Sequence, residues 1–183
     1  MHRVLVSHPD HGSPSVARLD VNAARRDGDH LRLAFALHGA VADLAVPKTV
    51  SPSRADELWK HTCFEAFLRT PARDAYFEFN FSPSSQWAAY RFDRYREGMR
   101  AAEGVVQPEI VTHESDKNLA LEIDLNLGGL AELRGRDWRV GLSAVIEERN
   151  GRKSWWALAH PAGKPDFHHA DCFALELPQV SAA

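Results

Sequence analysis

The stretch Tyr76-Phe77-Glu78-Phe79-Asn80-Phe81-Ser82-Pro83, followed four residues later by Trp87, has the alternating pattern of a β-strand. The alternation places three phenylalanines on one face and Tyr76, Glu78 and Asn80 on the other. The phenylalanine face predicts a hydrophobic core. An aromatic ring, a carboxylate and an amide in a row suit a ligand with hydroxyl groups, whereas an ordinary solvated face more often carries Lys, Thr or Ser. The polar face is therefore interpreted either as a binding surface or as a face that simply meets water.

Length, charge and hydropathy limit the class of protein. The chain has 183 residues, of which 44% are hydrophobic, and we expect residues 1–183 to form one domain. Its 22 basic and 25 acidic residues are interspersed and give a net charge of -3, which disfavours binding to nucleic acid or to an anionic membrane. No apolar run approaches the ~20 residues that cross a bilayer, and the apolar start of the chain stops too early for a signal peptide. These features predict a cytoplasmic protein.

The two cysteines, Cys63 and Cys172, are far apart in sequence and lie among apolar residues. This setting predicts reduced, buried thiols, although a disulfide stays possible. Because no Cys-x-x-Cys pair exists, neither a thiol redox motif nor a cysteine-based zinc site is expected.

Strand patterns recur along the chain and predict an all-β, antiparallel β-sandwich of eight or nine short strands. Alternation is clear in residues 31–37, 118–125 and 138–146, and a last short strand is expected at 172–177. The pair Asn150-Gly151 predicts a hairpin turn, with residues 153–160 as the returning strand.

Two segments fit more than one structure. In residues 55–70, Trp59, Cys63 and Phe67 have helical spacing, but residues 62–68 also alternate as a strand would. Residues 87–92 favour a strand, although Phe92, Tyr95 and Met99 could share a helical face.

The adjacent tryptophans Trp155 and Trp156 must face opposite sides of a strand, so one is expected in the core and the other outside. An outward indole beside Trp59, Trp87 or Tyr90 could stack on a sugar ring or another flat ligand, and the alternative is packing under a loop.

Several other side chains could carry chemistry. His160, His168 and His169 lie near Asp166 and Asp171 in sequence, but their spacing matches no transition-metal template, and calcium on the aspartates and loop carbonyls is equally weakly supported. Glu65 and Glu78 could face one another as the acid pair of a glycoside hydrolase, or could accept hydrogen bonds from ligand hydroxyls. We expect the second role, because no nucleophile or phosphate-loop motif is present. The charged run at residues 91–97 predicts a salt-bridged outer segment in which Arg91 or Arg96 closes one end of a pocket.

The segment from Asp56 to Leu68, together with residues 76–83 and Trp87, resembles the DOMON-like superfamily and, within it, the family 9 carbohydrate-binding modules. The resemblance covers most of the chain, and it implies that residues 55–70 form a loop followed by a strand. It also implies a concave sheet face lined by Glu65, Glu78 and Asn80, with Trp59 and Trp87 near its rim.

From these observations we predict a non-catalytic binding domain for a saccharide or a related small polar metabolite, with no required cofactor. The predicted ligand-binding residues are Trp59, Glu65, Glu78, Asn80, Trp87, Tyr90, Arg91, Trp155, Trp156, His160, Asp166 and His168. Other branches of the superfamily bind haem through Met and His, which here would be Met99 with His160 or His168. A haem-binding or redox domain is therefore the second hypothesis, and a carbohydrate-active enzyme is the third.

Overall fold

A computed structural model describes residues 1–180, and nearly all of its regular structure is β-strand. The strands are β1 (His2–Ser7), β2 (Val16–Arg25), β3 (His30–Gly39), β4 (Ser53–Arg54), β5 (Cys63–Arg69), β6 (Tyr76–Phe81), β7 (Gln86–Phe92), β8 (Arg100–Ala101), β9 (Glu109–Glu114), β10 (Asn118–Asn126), β11 (Trp138–Glu147), β12 (Lys153–Ala157) and β13 (Leu175–Leu177). Short 3₁₀ turns lie at Val41–Asp43, Leu58–Lys60 and Ala170–Cys172. No helix in residues 1–180 has the length and hydropathy to cross a bilayer.

The strands form two faces of a β-sandwich. The front sheet has the order β4-β7-β6-β5-β11-β12, with β8 paired to β7 and β13 paired to β11. The back sheet has the order β1-β2-β3-β10-β9. Strand β1 belongs to both, because its first residues pair with β2 while Val6 and Ser7 pair with β12. Neighbouring strands are antiparallel except β4 and β7, so the predicted all-β sandwich is confirmed.

The core lies between the two sheets. Phe77, Phe79 and Phe81 point into it, as their alternation predicts, and Phe35 of the back sheet contacts Phe64 of the front sheet at a ring-centroid distance of 5.0 Å. Burial of one such side chain contributes about 1.5–3 kcal/mol relative to exposure. The phenylalanine face therefore fixes which side of the front sheet is interior.

The segment at residues 55–70 forms a loop, a 3₁₀ turn and strand β5, so its helical interpretation is wrong. Residues 64, 66 and 68 face the core, as the alternation of a strand requires. The helical face proposed for Phe92, Tyr95 and Met99 is also absent from the described chain. Residues 93–99 form a tight loop instead, with left-handed backbone at Arg96 (φ 55°) and Gly98 (φ 68°).

The hairpin between β11 and β12 turns at Asn150-Gly151 as predicted. Gly151 has a φ of 86°, a conformation that favours glycine, and the backbone nitrogen of Glu148 donates to the carbonyl of Arg152 at 2.8 Å. Two predicted strands are shorter than expected: β12 ends at Ala157, and β13 begins only at Leu175 after a 3₁₀ turn. Both cysteines are buried, as predicted, and they are not joined by a disulfide.

Candidate functional site

The outward face of the front sheet carries a patch of polar side chains that are nonetheless buried. Glu65, Glu78, Asn80 and Ser143 stand on β5, β6 and β11 with their side chains away from the sandwich core, and each is at most 5% exposed. Strand alternation selects this face, because the residues on either side of each one pack into the core. Loops that fold over the sheet supply the rest of the burial.

A cavity of about 330 Å³ lies between this polar face and the loops. Its walls are formed by Trp59, Glu65, Glu78, Phe92, Arg96, Met99, Val145, Trp155, Pro165, Phe167 and His168. Three covering segments contribute: the 3₁₀ turn with Trp59, the loop with Arg96 and Met99, and the loop that follows β12. The cavity thus combines aromatic surface with a few charged groups, which is the usual composition of a small-molecule site.

The two carboxylates of the cavity are diagonal neighbours rather than directly opposed. Strand register places Asn80 opposite Glu65, and Phe67 opposite Glu78, so the expectation that the two glutamates face one another is corrected. Burial and then the nearby charge of Glu78 raise the pKa of Glu65 well above its ordinary value. Burial also raises the pKa of Glu78, to about 7. Both carboxyl groups therefore keep their protons to a higher pH than solvated glutamates do.

Few protein donors reach these carboxylates. Ser143 Oγ donates to Glu65 Oε2 at 3.2 Å, and Asn80 Nδ2 donates to Glu78 Oε1 at 2.8 Å. Asn80 Oδ1 in turn accepts from the thiol of Cys63 at 3.6 Å. Both polar atoms of the Asn80 amide are therefore engaged, and the amide fixes the orientation of the Glu78 carboxylate.

His168 is fixed by a chain of hydrogen bonds. The backbone nitrogen of Arg96 donates to the hydroxyl of Tyr76 at 3.2 Å, so the Tyr76 proton is free to be donated to His168 Nδ1 at 2.7 Å. This assigns the remaining ring proton to Nε2, which lies 3.8 Å from Glu78 Oε2. Burial, assisted by the charge of Arg96, lowers the pKa of His168 to about 4, so the ring is neutral at pH 7.

Arg96 and Asp166 form an ion pair at the edge of the cavity. Arg96 Nη2 lies 2.7 Å from Asp166 Oδ1, and the hydroxyl of Tyr95 also donates to Asp166. Asp166, predicted as a ligand-binding residue, therefore does not line the cavity but positions Arg96, which does.

The five tryptophans separate into two groups. Trp59 and Trp155 are half-buried and line the cavity, and Trp59 contacts Tyr90 edge-on at 5.7 Å. Trp138, Trp156 and Trp87 belong to the core between the sheets. The expected position of Trp87 near the rim is thus corrected: it lies opposite Phe81 in the hairpin and shares its inward face, under the guanidinium of Arg54.

Three further predicted residues stand outside the cavity wall. Tyr90 also points to the outward face of the front sheet, but its hydroxyl donates to Asp56 at 2.6 Å. Its ring packs against Trp59 and does not line the cavity. Arg91 points to the other side of β7, where its guanidinium binds Glu132 at 2.6 Å. His160 Nε2 donates to the carbonyl of Val6 at 2.9 Å, and the ring packs beside Phe167.

Six wall residues come from positions that the sequence patterns did not select as ligand-binding: Phe92, Arg96, Met99, Val145, Pro165 and Phe167. Arg96 is named above only as an alternative to Arg91, and Met99 only as an axial ligand under the haem hypothesis. Phe92 and Val145 could have been found from strand alternation. Each lies two residues after an outward-facing residue of its strand, Tyr90 on β7 and Ser143 on β11. The loop residues carry no comparable signal.

A second, larger groove of about 570 Å³ lies on the far side of the Leu58–Lys60 turn. Its charged groups are already paired with one another: His61 contacts Glu147 at 2.7 Å, and Lys60 contacts Glu57 at 2.6 Å. Lys60, Glu57 and His61 are exposed, and among residues 1–180 the groove offers no buried charge in need of a partner. We therefore place the candidate site in the smaller cavity.

The histidines and aspartates near the C-terminus do not assemble into a metal centre. Within residues 1–180, no group of three or more His, Cys, Asp or Glu side chains is arranged to hold a metal ion. Asp166 is engaged by Arg96, and Asp171 lies 3.5 Å from His169.

No model of a protein family matches this chain, and no curated protein matches it either. Solved structures do. A protein from Bacteroides uniformis ATCC 8492, provisionally described as carbohydrate-binding, superposes with a TM-score of 0.67 at 14% identity, over 94% of this chain and 83% of that one.

Two structures of a family 9 carbohydrate binding module from Caldicellulosiruptor kristjanssonii are also similar. The complex with glucose has a TM-score of 0.54 at 10% identity, over 98% of this chain and 86% of that one. The complex with cellotriose has a TM-score of 0.54 at 11% identity, over 89% and 74%. At such low identities the likeness shows a shared β-sandwich fold. The predicted resemblance in fold to carbohydrate-binding modules is confirmed, whereas membership of the DOMON-like superfamily stays a prediction.

Proposed function

We propose that this chain is one non-catalytic binding domain and that the cavity on the outward face of its front sheet holds a saccharide. The observation that carries the proposal is the meeting of two indoles, Trp59 and Trp155, with two buried carboxylates, Glu65 and Glu78, in one cavity. These groups come from four separate segments of the chain.

The chemistry of a sugar matches these walls. The apolar face of a pyranose ring packs on aromatic surface, and Trp59 and Trp155 offer that surface with part of each indole still accessible. Sugar hydroxyls can donate to the carboxylates and accept from the guanidinium of Arg96. A sugar would thus contact the indoles with its ring and the charged side chains with its hydroxyls.

Size supports a small ligand. A cavity of about 330 Å³ lies at the lower end of the about 300–1,000 Å³ that ligand pockets span. One or two sugar rings are therefore favoured over an internal stretch of a long polymer. The similar module from Caldicellulosiruptor kristjanssonii binds glucose and cellotriose on the same fold, which adds support for a saccharide.

The haem hypothesis fits these residues poorly. Met99 and His168 do line the same cavity, but Nδ1 of His168 accepts from Tyr76 and its other nitrogen lies beside Glu78. An axial ligand would have to displace one of these contacts, and two carboxylates would face the macrocycle. An absorbance scan of purified protein tests this directly, since a stoichiometric Soret band would support haem.

Calorimetry tests the saccharide proposal. Glucose, cellobiose and cellotriose, titrated at millimolar concentration into the full chain, should include at least one ligand that binds. Trp59→Ala should weaken that ligand at least about tenfold, since contact with an indole that removes about 60 Å² of apolar surface from water is worth about 1.5 kcal/mol.

The control for this experiment is Glu122→Gln, a change on the exposed face of the back sheet, which should bind as wild type does. Absence of binding by every sugar tested, or unchanged affinity in a folded Trp59→Ala variant, would overturn the proposal. Turnover of a glycoside that Glu65→Gln abolishes would replace it with the enzyme hypothesis.

A further inference from the structure

The charges around the cavity do not balance. Arg96 is the cation in its wall, and its guanidinium is already paired with Asp166. His168 is neutral at pH 7 because burial lowers its pKa to about 4. Arg96 attracts the charge of Glu78 only in part, since burial still raises the pKa of that group, and among residues 1–180 no cation pairs with Glu65, although both carboxylates are buried.

Each carboxylate also has an oxygen without a close protein donor. Glu65 is 2% exposed and lines the cavity, and within the described chain its one hydrogen bond is from Ser143 to Oε2, which leaves Oε1 without a donor. Glu78 uses Oε1 for Asn80, while its Oε2 has nothing nearer than the His168 ring at 3.8 Å. A buried carboxylate in this state is costly unless a ligand supplies the missing donor and charge.

A neutral hydroxyl group can supply the missing hydrogen-bond donor but not the missing positive charge. It can donate one hydrogen bond to one carboxylate, but it brings no counter-charge, so the pKa values of the two carboxyl groups stay raised. An ammonium group donates up to three hydrogen bonds and brings a full positive charge. Electron-rich ring faces also attract cations, and the same walls include Trp59, Trp155 and Phe167.

We propose that the ligand is an amino sugar whose ammonium group binds between Glu65 and Glu78 while its ring contacts the indoles. This inference rests on the proposed saccharide function and narrows it to a cationic class. Binding of the ammonium ionises the carboxylate pair, so protons leave the protein as the ligand enters.

The test compares three ligands with the same ring: glucose, glucosamine and N-acetylglucosamine. At pH 6 the amine of glucosamine is protonated, and acetylation removes its charge. Calorimetry on the full chain should give at least about tenfold tighter binding of glucosamine than of the two neutral sugars. Repeating the titration in two buffers of different ionisation enthalpy should show proton release for glucosamine and none for glucose.

Two variants locate the effect. Glu65→Gln and Glu78→Gln keep side-chain shape and remove charge, so the ratio of glucosamine to glucose affinity should fall toward one in each. Glu122→Gln, on the back sheet, should keep the wild-type ratio. The wild-type comparison stands without the variants if either fails to fold.

The outcomes separate this inference from the proposed function. If glucose binds as tightly as glucosamine, the amino-sugar inference is overturned and saccharide binding stands. If none of the three sugars nor the cello-oligosaccharides bind, both proposals fall. If ethanolamine, an amine without a sugar ring, binds as tightly as glucosamine, the amino-sugar inference is likewise overturned.

Discussion

The side-chain amide of Asn80 donates a 2.8 Å hydrogen bond to Glu78 Oε1, two residues earlier on β6. Register places the same Asn80 opposite Glu65 on β5. One buried amide therefore stands between the two carboxylates. It is the one close protein donor to Glu78 among the described residues, and it orients that group toward the cavity.

Asn80→Ala should destabilise the protein by about 1–3 kcal/mol, because Glu78 then lacks its donor in a buried site. Urea unfolding at pH 7, followed by tryptophan fluorescence, measures the change. Asn118→Ala is the matched control: that amide also accepts a hydrogen bond, from His38 at 2.6 Å, but it is exposed, and its loss should cost less than about 0.5 kcal/mol. Equal effects in the two variants would contradict the assigned role of Asn80.

The stability of the protein should carry a pH signature from Glu78. Burial raises its pKa from 4.5 to about 7, so between those values the folded state holds more protons than the unfolded state. Stability from this group is therefore lost as pH rises through the window. Glu78→Gln cannot ionise, and its unfolding free energy relative to wild type should increase from pH 4.5 to 7 by on the order of 3 kcal/mol.

Glu132→Gln provides a control of opposite sign. The bond from Arg91 lowers the pKa of Glu132, so its contribution to stability is present above the unfolded pKa and lost in acid. Relative to wild type, this variant should lose stability as pH rises. Urea titrations at several pH values give both curves, and parallel slopes for the two variants would refute the burial argument for Glu78.

The Tyr76–His168 hydrogen bond should show coupling in a double-mutant cycle. Tyr76→Phe or His168→Phe alone leaves a buried polar group without its partner, at about 1–3 kcal/mol each. The double variant should cost less than the sum by about 0.5–3 kcal/mol. Tyr90→Phe combined with His168→Phe should instead be additive, because the Tyr90 hydroxyl bonds Asp56. Additivity in both cycles would show that the 2.7 Å contact contributes nothing.

Strand alternation made much of the fold readable from sequence, and its failures have local causes. The pattern of residues 76–81 gave both faces of β6 correctly, and Asn150-Gly151 gave the hairpin. Strand β2 was missed although it was equally readable, because buried Leu19, Val21 and Ala23 alternate with polar residues after the register shift between Val16 and Arg18. Strand β9 is an exposed edge with little apolar content, so it carries no core signal.

The candidate site was readable only where it stands on strands. Strand alternation predicts that Glu65 and Glu78 point to the outward face. The same alternation could have excluded two other residues from the site. Trp87 and Arg91 pair with Phe81 and Phe77 across the hairpin, and so share the inward face. Arg96 and Phe167 lie on loops whose path is set by tertiary contacts such as the Asp166 ion pair, which no local pattern encodes.

Trp155 and Trp156 are adjacent on β12 and face opposite sides of the sheet, so alanine substitutions at the two positions should affect different properties. Trp156 is 6% exposed in the core, with its indole nitrogen donating to Ser154 Oγ at 2.9 Å, so Trp156→Ala should cost about 3–5 kcal/mol of stability. Trp155 lines the cavity, and Trp155→Ala should cost only about 1 kcal/mol of stability while weakening sugar binding about tenfold through lost apolar contact. Thermal unfolding and calorimetry on the two variants separate the roles. A stable Trp156→Ala protein would reverse the assigned faces of β12, and a Trp155→Ala protein with wild-type affinity would remove this indole from the proposed site.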